Sequence, residues 1–436
     1  MPNAYQPGKS SGLPARERDL IARRQRLLGP AYRLFYETPI HPVRGEGVWL
    51  IDADGTRYLD VYNNVPSVGH CHPHVVAALA RQAAVLNTHT RYLDDIVLDY
   101  AEKLLATFPA ELGHVMFTCT GSEANDLALR IARAHTGGTG FIVTKLAYHG
   151  NSSAVSELSP SLGAPLGGHV RCVPPPDAYR GAGTDIGAVF AADVQRAIDD
   201  LVAHGIKPAA LIVDTIFSSD GVFAEPAGFL AEAVAAIRAA GGVFIADEVQ
   251  PGFGRTGSHL WGFQRHGLVP DMVSLGKPMG NGHPLAGLVA KPVLLEEFGK
   301  IRYFNTFGGN PVSAAVGLAV LEVIESEGLL ENARDVGAYL QQGLRELRAT
   351  HEIIGDVRGA GLFIGLELVS DRSTRAPATA ETARLVNGLR DRHILISSAG
   401  PHANILKIRP PLPFSRANAD VFIATFDQVL GSLRGP

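Results

Sequence analysis

From residue 75 to about residue 310 the chain switches repeatedly between short apolar runs and longer amphipathic ones. The apolar runs fall at 115–118, 140–144, 210–215, 243–246, 272–275 and 286–290. The stretches with helical spacing fall at 75–86, 96–107, 123–134, 192–204 and 228–239. Alternation of this kind predicts an α/β fold: a mostly parallel sheet with helices on both faces. Beyond about residue 320 the rhythm changes. A long amphipathic helix at 329–349 precedes a strand-turn-strand at 353–368, and a terminal helix covers 418–433. The expected division is an N-terminal arm (1–20), a segment joined to a small domain (21–65), a large domain (66–320) and a smaller α+β domain (321–436). Within the second segment, residues 49–60 read as a hairpin turned at Asp54-Gly55.

In a sheet of this type, ligands bind at the carboxyl ends of the strands. The chemically useful residues collect there: Gly121 and Ser122, Tyr148 and His149, Asp214, Asp247, and Lys277. Asp247 ends the run Phe244-Ile245-Ala246, and Lys277 follows Ser274-Leu275-Gly276, thirty positions later. A carboxylate that ends a buried strand is costly unless it is paired or used. A lysine just past a buried strand is poorly placed as a solvated surface residue. An amine beside a carboxylate suits pyridoxal phosphate: the lysine forms a Schiff base with the aldehyde, and the acid keeps the ring nitrogen protonated.

Gly121 and Ser122 lie between a strand and a helix, where free backbone N–H groups and a hydroxyl can cradle a phosphate. The plainer alternative is that Ser122 caps the helix. Tyr148 can stack on a flat ring, or simply close the core at a strand end.

Two further patterns need a different explanation. Gly252-Phe253-Gly254-Arg255-Thr256-Gly257 matches the dinucleotide pattern G-x-G-x-x-G, but four residues separate it from Asp247 and no helix start follows it. His70-Cys71-His72-Pro73-His74 looks like a metal cluster, yet has no second ligand pair at zinc-like spacing. Its Pro73 reads as the first-turn proline of the next helix.

The net charge of −4 gives no reason to expect nucleic acid or an anionic membrane as partner, and no apolar stretch approaches a membrane span. Three irregularly spaced cysteines do not form a disulfide framework. The polar first twenty residues lack the apolar run of a signal peptide. The expectation is a cytoplasmic protein.

Taken together, the motifs resemble those of the class III, pyridoxal-phosphate-dependent aminotransferases of fold type I, from about residue 30 onward. The resemblance rests on 52–60, Gly69-His70-Cys71-His72-Pro73, Gly121-Ser122-Glu123-Ala124-Asn125, Tyr148-His149-Gly150, and Ala246-Asp247-Glu248-Val249-Gln250. It also rests on the 252–257 run, Gly276-Lys277-Pro278, and Asn305-Thr306-Phe307-Gly308-Gly309-Asn310-Pro311. It implies that Lys277 is the Schiff-base lysine and proton shuttle, and that Asp247 pairs with the ring nitrogen. Gln250 would approach the ring hydroxyl, Val249 and Tyr148 would pack on opposite ring faces, and Gly121, Ser122 and His149 would complete the cofactor site. Thr306 would reach the phosphate from a neighbouring subunit, which implies a homodimer or a dimer of dimers. Arg409 would hold a substrate carboxylate.

Residues 276–284 and 401–412 are most similar to the branch of ethanolamine-phosphate and phosphohydroxylysine phospho-lyases. One departure stands out. The family usually carries Glu-Pro-x-x-Gly after the third strand, and its glutamate neutralises the substrate-binding arginine. Here the run is Asp214-Thr215-Ile216-Phe217-Ser218-Ser219-Asp220-Gly221, with an acid one methylene shorter. The expected activity is transamination between an amine or amino acid and a keto acid. The alternative is elimination of phosphate from an amino-alkyl phosphate.

Overall fold

In a computed structural model, which describes residues 4–7, 12–181 and 183–433, all six apolar runs are strands of one sheet. That sheet has seven strands, in the spatial order His114–Thr118, Ala286–Ala290, Met272–Leu275, Val243–Asp247, Pro208–Asp214, Gly140–Thr144 and Val170–Val173. Only Ala286–Ala290 runs against its neighbours; the remaining contacts are parallel. Strands covered on both faces carry continuous apolar sequence, as 243–246 of Val243–Asp247 and all of Ala286–Ala290 do, every residue of both strands being buried. Val170–Val173 is a seventh strand that the sequence did not announce. Its four residues lie between His169 and a proline run, too short to show a period.

The predicted helices appear as Pro73–Ala83, Asp95–Leu105, Gly121–Thr136, Ile186–Ala203 and Ala231–Ala239. Pro73 is indeed in the first turn, and His72 caps it. Pro311–Ser326 was not foreseen as a helix. Its sequence is apolar all round, with twelve of its residues buried, so it offers no polar face to reveal a period.

Two smaller sheets complete the fold. Pro42–Glu46, Trp49–Asp52 and Arg57–Asp60 form a meander whose last strand pairs in parallel with Ile394–Leu395. Ile354–Ala360, Phe363–Asp371, Ile405–Ile408 and Ser397–Ala399 form the other, which Ala376–Pro377 joins at the side. The loose arm expected over 1–20 needs correction in its last part. Ala15–Leu28 is a helix with no buried residue; its heavily charged sequence has no apolar stripe by which to predict it.

The glycine-rich run at 252–257 serves packing. A Cβ on Gly252 would lie 2.7 Å from the Glu248 carbonyl oxygen, and one on Gly257 2.6 Å from Arg334 of the helix Leu329–Thr350. The three histidines of the 70–74 run face three different carboxylates: Asp60, Glu327 and Glu322. No group of three or more metal-ligating side chains occurs among the described residues, and no helix among them is long and apolar enough to cross a membrane.

Candidate active site

The ends of the parallel strands open onto a cavity of about 340 Å³. Of the residues singled out from sequence, Gly121, Ser122, Tyr148, His149, Asp214, Asp247, Val249, Gln250 and Lys277 all line it. Arg409 lies just behind the wall, in contact with Gln250. Thr306 is exposed, away from this cavity, beside a second one lined by Phe304, Asn305 and Gly308.

Lys277 begins a short 3-10 turn, Lys277–Gly280, with φ at +33°. A non-glycine residue in that region is strained by on the order of 1 kcal/mol or more, and such strain concentrates at functional sites. Its Nζ sits 5.9 Å from the centre of the Tyr148 ring. Burial pushes its pKa below that of an ordinary lysine, and the nearby Arg409 charge pushes the same way; Asp247 and Asp214 oppose them. The result favours the neutral amine, the form that can act as nucleophile or base.

Asp247 is fixed as a hydrogen-bond acceptor from several sides. Its Oδ2 accepts from Asn125 Nδ2 at 3.0 Å and lies 2.7 Å from His149 Nδ1; its Oδ1 accepts from the Val249 amide at 3.1 Å. Asn125 Nδ2 also donates to the His149 carbonyl at 2.7 Å, tying the two partners together. Sequence reading gave Asn125 no role. Its signal was present: four residues beyond Gly121, it shares that helix face.

The helix Gly121–Thr136 is capped by Thr120 in a capping box with Glu123, so Ser122 is not the cap. Ser122 instead exchanges hydrogen bonds with Asn151, donating to Oδ1 at 3.0 Å and accepting from the amide at 3.1 Å. The amides of Gly121 and Ser122, first in the helix, have no intrahelical acceptor. A Cβ on Gly121 would lie 3.1 Å from Val249, and one on Gly276 would lie 3.3 Å from the Gly121 backbone. A helix start with free amides therefore abuts the apolar Val249 and the turn that bears Lys277.

Asp214 and Arg409 do not pair. Asp214 accepts from the Ile216 amide at 3.1 Å, and from both the amide (3.1 Å) and the hydroxyl of Ser218. Burial raises its pKa, and the charge on Asp247 adds to the effect. Arg409 Nη1 donates to Asn64 Oδ1, and to Gln250 Oε1 at 2.8 Å. Its guanidinium carbon is 4.3 Å from the centre of the Tyr62 ring. Arg409 Nε and Asn64 Nδ2 are buried donors with no acceptor. Gln250, expected at a ring hydroxyl, is here bound to Arg409 and Ser218. Lys407, two residues earlier on the same side of the chain, is buried, and burial pushes its pKa far down.

The residues present fit pyridoxal phosphate. Its lining brings together an amine whose pKa burial lowers, a carboxylate held by Asn125 and His149, free amides at a helix start, and the side chains of Tyr148 and Val249.

Comparison with known proteins agrees. Residues 35–430 match the model of the family described as aminotransferase class-III. A Drosophila melanogaster protein named alanine–glyoxylate aminotransferase 2-like is 44% identical over 428 residues, covering 94% of this chain and 87% of the relative. A Caenorhabditis elegans ethanolamine-phosphate phospho-lyase homolog is 37% identical over 437 residues, covering 94% and 93%. The solved structure of a phospholyase from Arthrobacter in complex with phosphoethanolamine superposes with a TM-score of 0.92 at 45% identity, over 95% of this chain and all of that one. The fold is accordingly that of type I pyridoxal-phosphate enzymes.

Proposed function

We propose that this chain, which belongs to the class III aminotransferases and shares their dependence on pyridoxal phosphate, eliminates phosphate from a small amino-alkyl phosphate such as phosphoethanolamine. Sequence alone favours transamination, the commoner activity in the family. The surroundings of Arg409 turn the preference. A transaminase that accepts two unlike substrates needs to neutralise this arginine when no acid is bound. Here Arg409 has no carboxylate partner among the described residues, and Asp214 is committed to Ser218 and backbone amides. The observation that carries the proposal is the pair of unsatisfied buried donors, Arg409 Nε and Asn64 Nδ2, beside a guanidinium held only by neutral groups. A buried cation with spare donors suits a substrate that always brings an anion. The 45% identity to a phospholyase in complex with phosphoethanolamine supports the same reading.

Roles for the side chains follow. The bound cofactor supplies an aldehyde carbon for the substrate nitrogen and a ring that takes up an electron pair. Gly121 and Ser122 amides would hold its phosphate, and Tyr148 and Val249 would pack against its ring. Asp247, oriented by Asn125 and His149, would keep the proton on the ring nitrogen. Lys277 would hold the cofactor's aldehyde carbon, and its Nζ would take the proton from the substrate carbon that bears the amine. Arg409 holds the substrate phosphate, whose carbon–oxygen bond then breaks. Overall, phosphoethanolamine and water give acetaldehyde, ammonia and inorganic phosphate.

Transamination is the second reading, favoured by the name of the Drosophila relative. Incubating the holoenzyme with phosphoethanolamine, and separately with simple amines plus pyruvate, separates the two. Release of inorganic phosphate without a keto acid supports elimination; alanine formation without phosphate release rejects it.

The assembly is proposed to be a homodimer. Leu93 is 100%, Val85 80% and Phe307 68% exposed, apolar surface of the kind that marks a protein interface. The three free cysteines fit a reducing compartment.

A further inference from the structure

Asp214 and Arg409 are joined without touching. Arginine has only donors, so the group of Gln250 facing Arg409 is its carbonyl oxygen, at 2.8 Å. That leaves Gln250 Nε2 to donate to Ser218 Oγ. The Ser218 hydroxyl, its lone pair used in this way, donates its own proton to Asp214 Oδ2. The chain Arg409, Gln250, Ser218, Asp214 thus runs in one direction, from cation to carboxylate. Each donor is polarised by the next acceptor.

The backbone is bent to achieve this. Phe217, a buried aromatic residue, has φ at +51°, a conformation uncommon for bulky side chains. That twist lets the Ser218 amide and hydroxyl both fold back onto Asp214. Ser218 and Gln250 are buried, so water does not compete for either bond.

We propose that Ser218 is a positioning residue that, with Gln250, links the acceptor Asp214 to Arg409 across the gap left by the shorter acid, and so holds the guanidinium ready for the substrate's anionic group. This rests on the reading of Arg409 as that group's partner. The relay stands where a glutamate would otherwise meet the arginine directly. It steadies the cation without occupying it, since Gln250 is neutral and leaves Arg409 Nε free.

The test uses full-length holoenzyme carrying Ser218→Ala, Ser218→Cys or Arg409→Met. Binding of inorganic phosphate is measured by calorimetry, and KM and kcat with phosphoethanolamine. Ser218→Ala keeps the amide bond to Asp214 and should fold. It is expected to weaken phosphate binding and raise KM about tenfold, the loss expected of one hydrogen bond in a charged chain, with kcat within about twofold. Ser218→Cys, of similar size and still a weak donor, should fall between. Unchanged phosphate binding and KM in Ser218→Ala, with Arg409→Met impaired, overturns the relay alone. Unchanged binding in Arg409→Met overturns the underlying reading and the relay together. A fall in kcat without a change in KM or phosphate binding also overturns the relay.

Discussion

Asp214 and Asp247 stand side by side, paired in register at the carboxyl ends of two adjacent parallel strands, yet their surroundings differ. Asp247 accepts from Asn125 and the Val249 amide and faces His149. Asp214 accepts from Ser218 and the Ile216 amide, and burial together with its neighbour's charge raises its pKa. One acid is thereby held by Asn125 and His149, while the other is turned toward Ser218.

His149→Phe tests the support behind Asp247. The variant loses the ring nitrogen 2.7 Å from Asp247 Oδ2. Removing a partner that orients a metal ligand typically costs about 10- to 100-fold, and a loss of similar size is expected for the orienter of a carboxylate. The expected outcome is a fall of that size in kcat/KM with cofactor retained, read by steady-state kinetics and the absorbance of the bound cofactor. A wild-type rate would mean that Asp247 needs no such support.

Gly150→Ala tests the phosphate end. Gly150 has φ at +142°, and a Cβ there would lie 2.6 Å from Ser122 Oγ. The substitution should destabilise the protein by about 1–3 kcal/mol and loosen the cofactor by displacing Ser122. Thermal melting and cofactor retention on dialysis check both effects.

Asp220 gives a pH dependence whose sign can be worked out. Burial raises its carboxyl from 3.8 to about 6, although Thr144 and the Leu146 amide donate to it. The folded state therefore holds its proton more tightly than the unfolded one. Its contribution is fully present below about pH 4 and is lost as pH rises through about 6, a change of about 3 kcal/mol. Asp220→Asn should flatten the fall in stability between those values, measured by denaturation across that range. An unchanged slope would show that this carboxyl does not titrate there.

Much of this arrangement could be read from the sequence. Strands such as Val243–Asp247 and Met272–Leu275 declare themselves by short, mostly apolar runs, and the charged residue at or soon after the end of each is conspicuous because burying a charge is costly. Hence Asp247 and Lys277 were legible as a pair. Asn64 and Ser218 were not. Each is an ordinary polar residue in a loop, and its meaning comes from contacts with Arg409 and Gln250, 345 and 32 positions away. Pro311–Ser326 failed for the opposite reason, since burial on all sides removes the periodicity that marks a helix.

The central claim is that Lys277 carries the cofactor over Asp247. The direct measurement is to reduce purified holoenzyme with borohydride, digest it, and locate the modified peptide by mass spectrometry. The account predicts one pyridoxyl-phosphate label, on Lys277, and none in Lys277→Ala. A label on another lysine, or a holoenzyme that reduction leaves unlabelled, would contradict it.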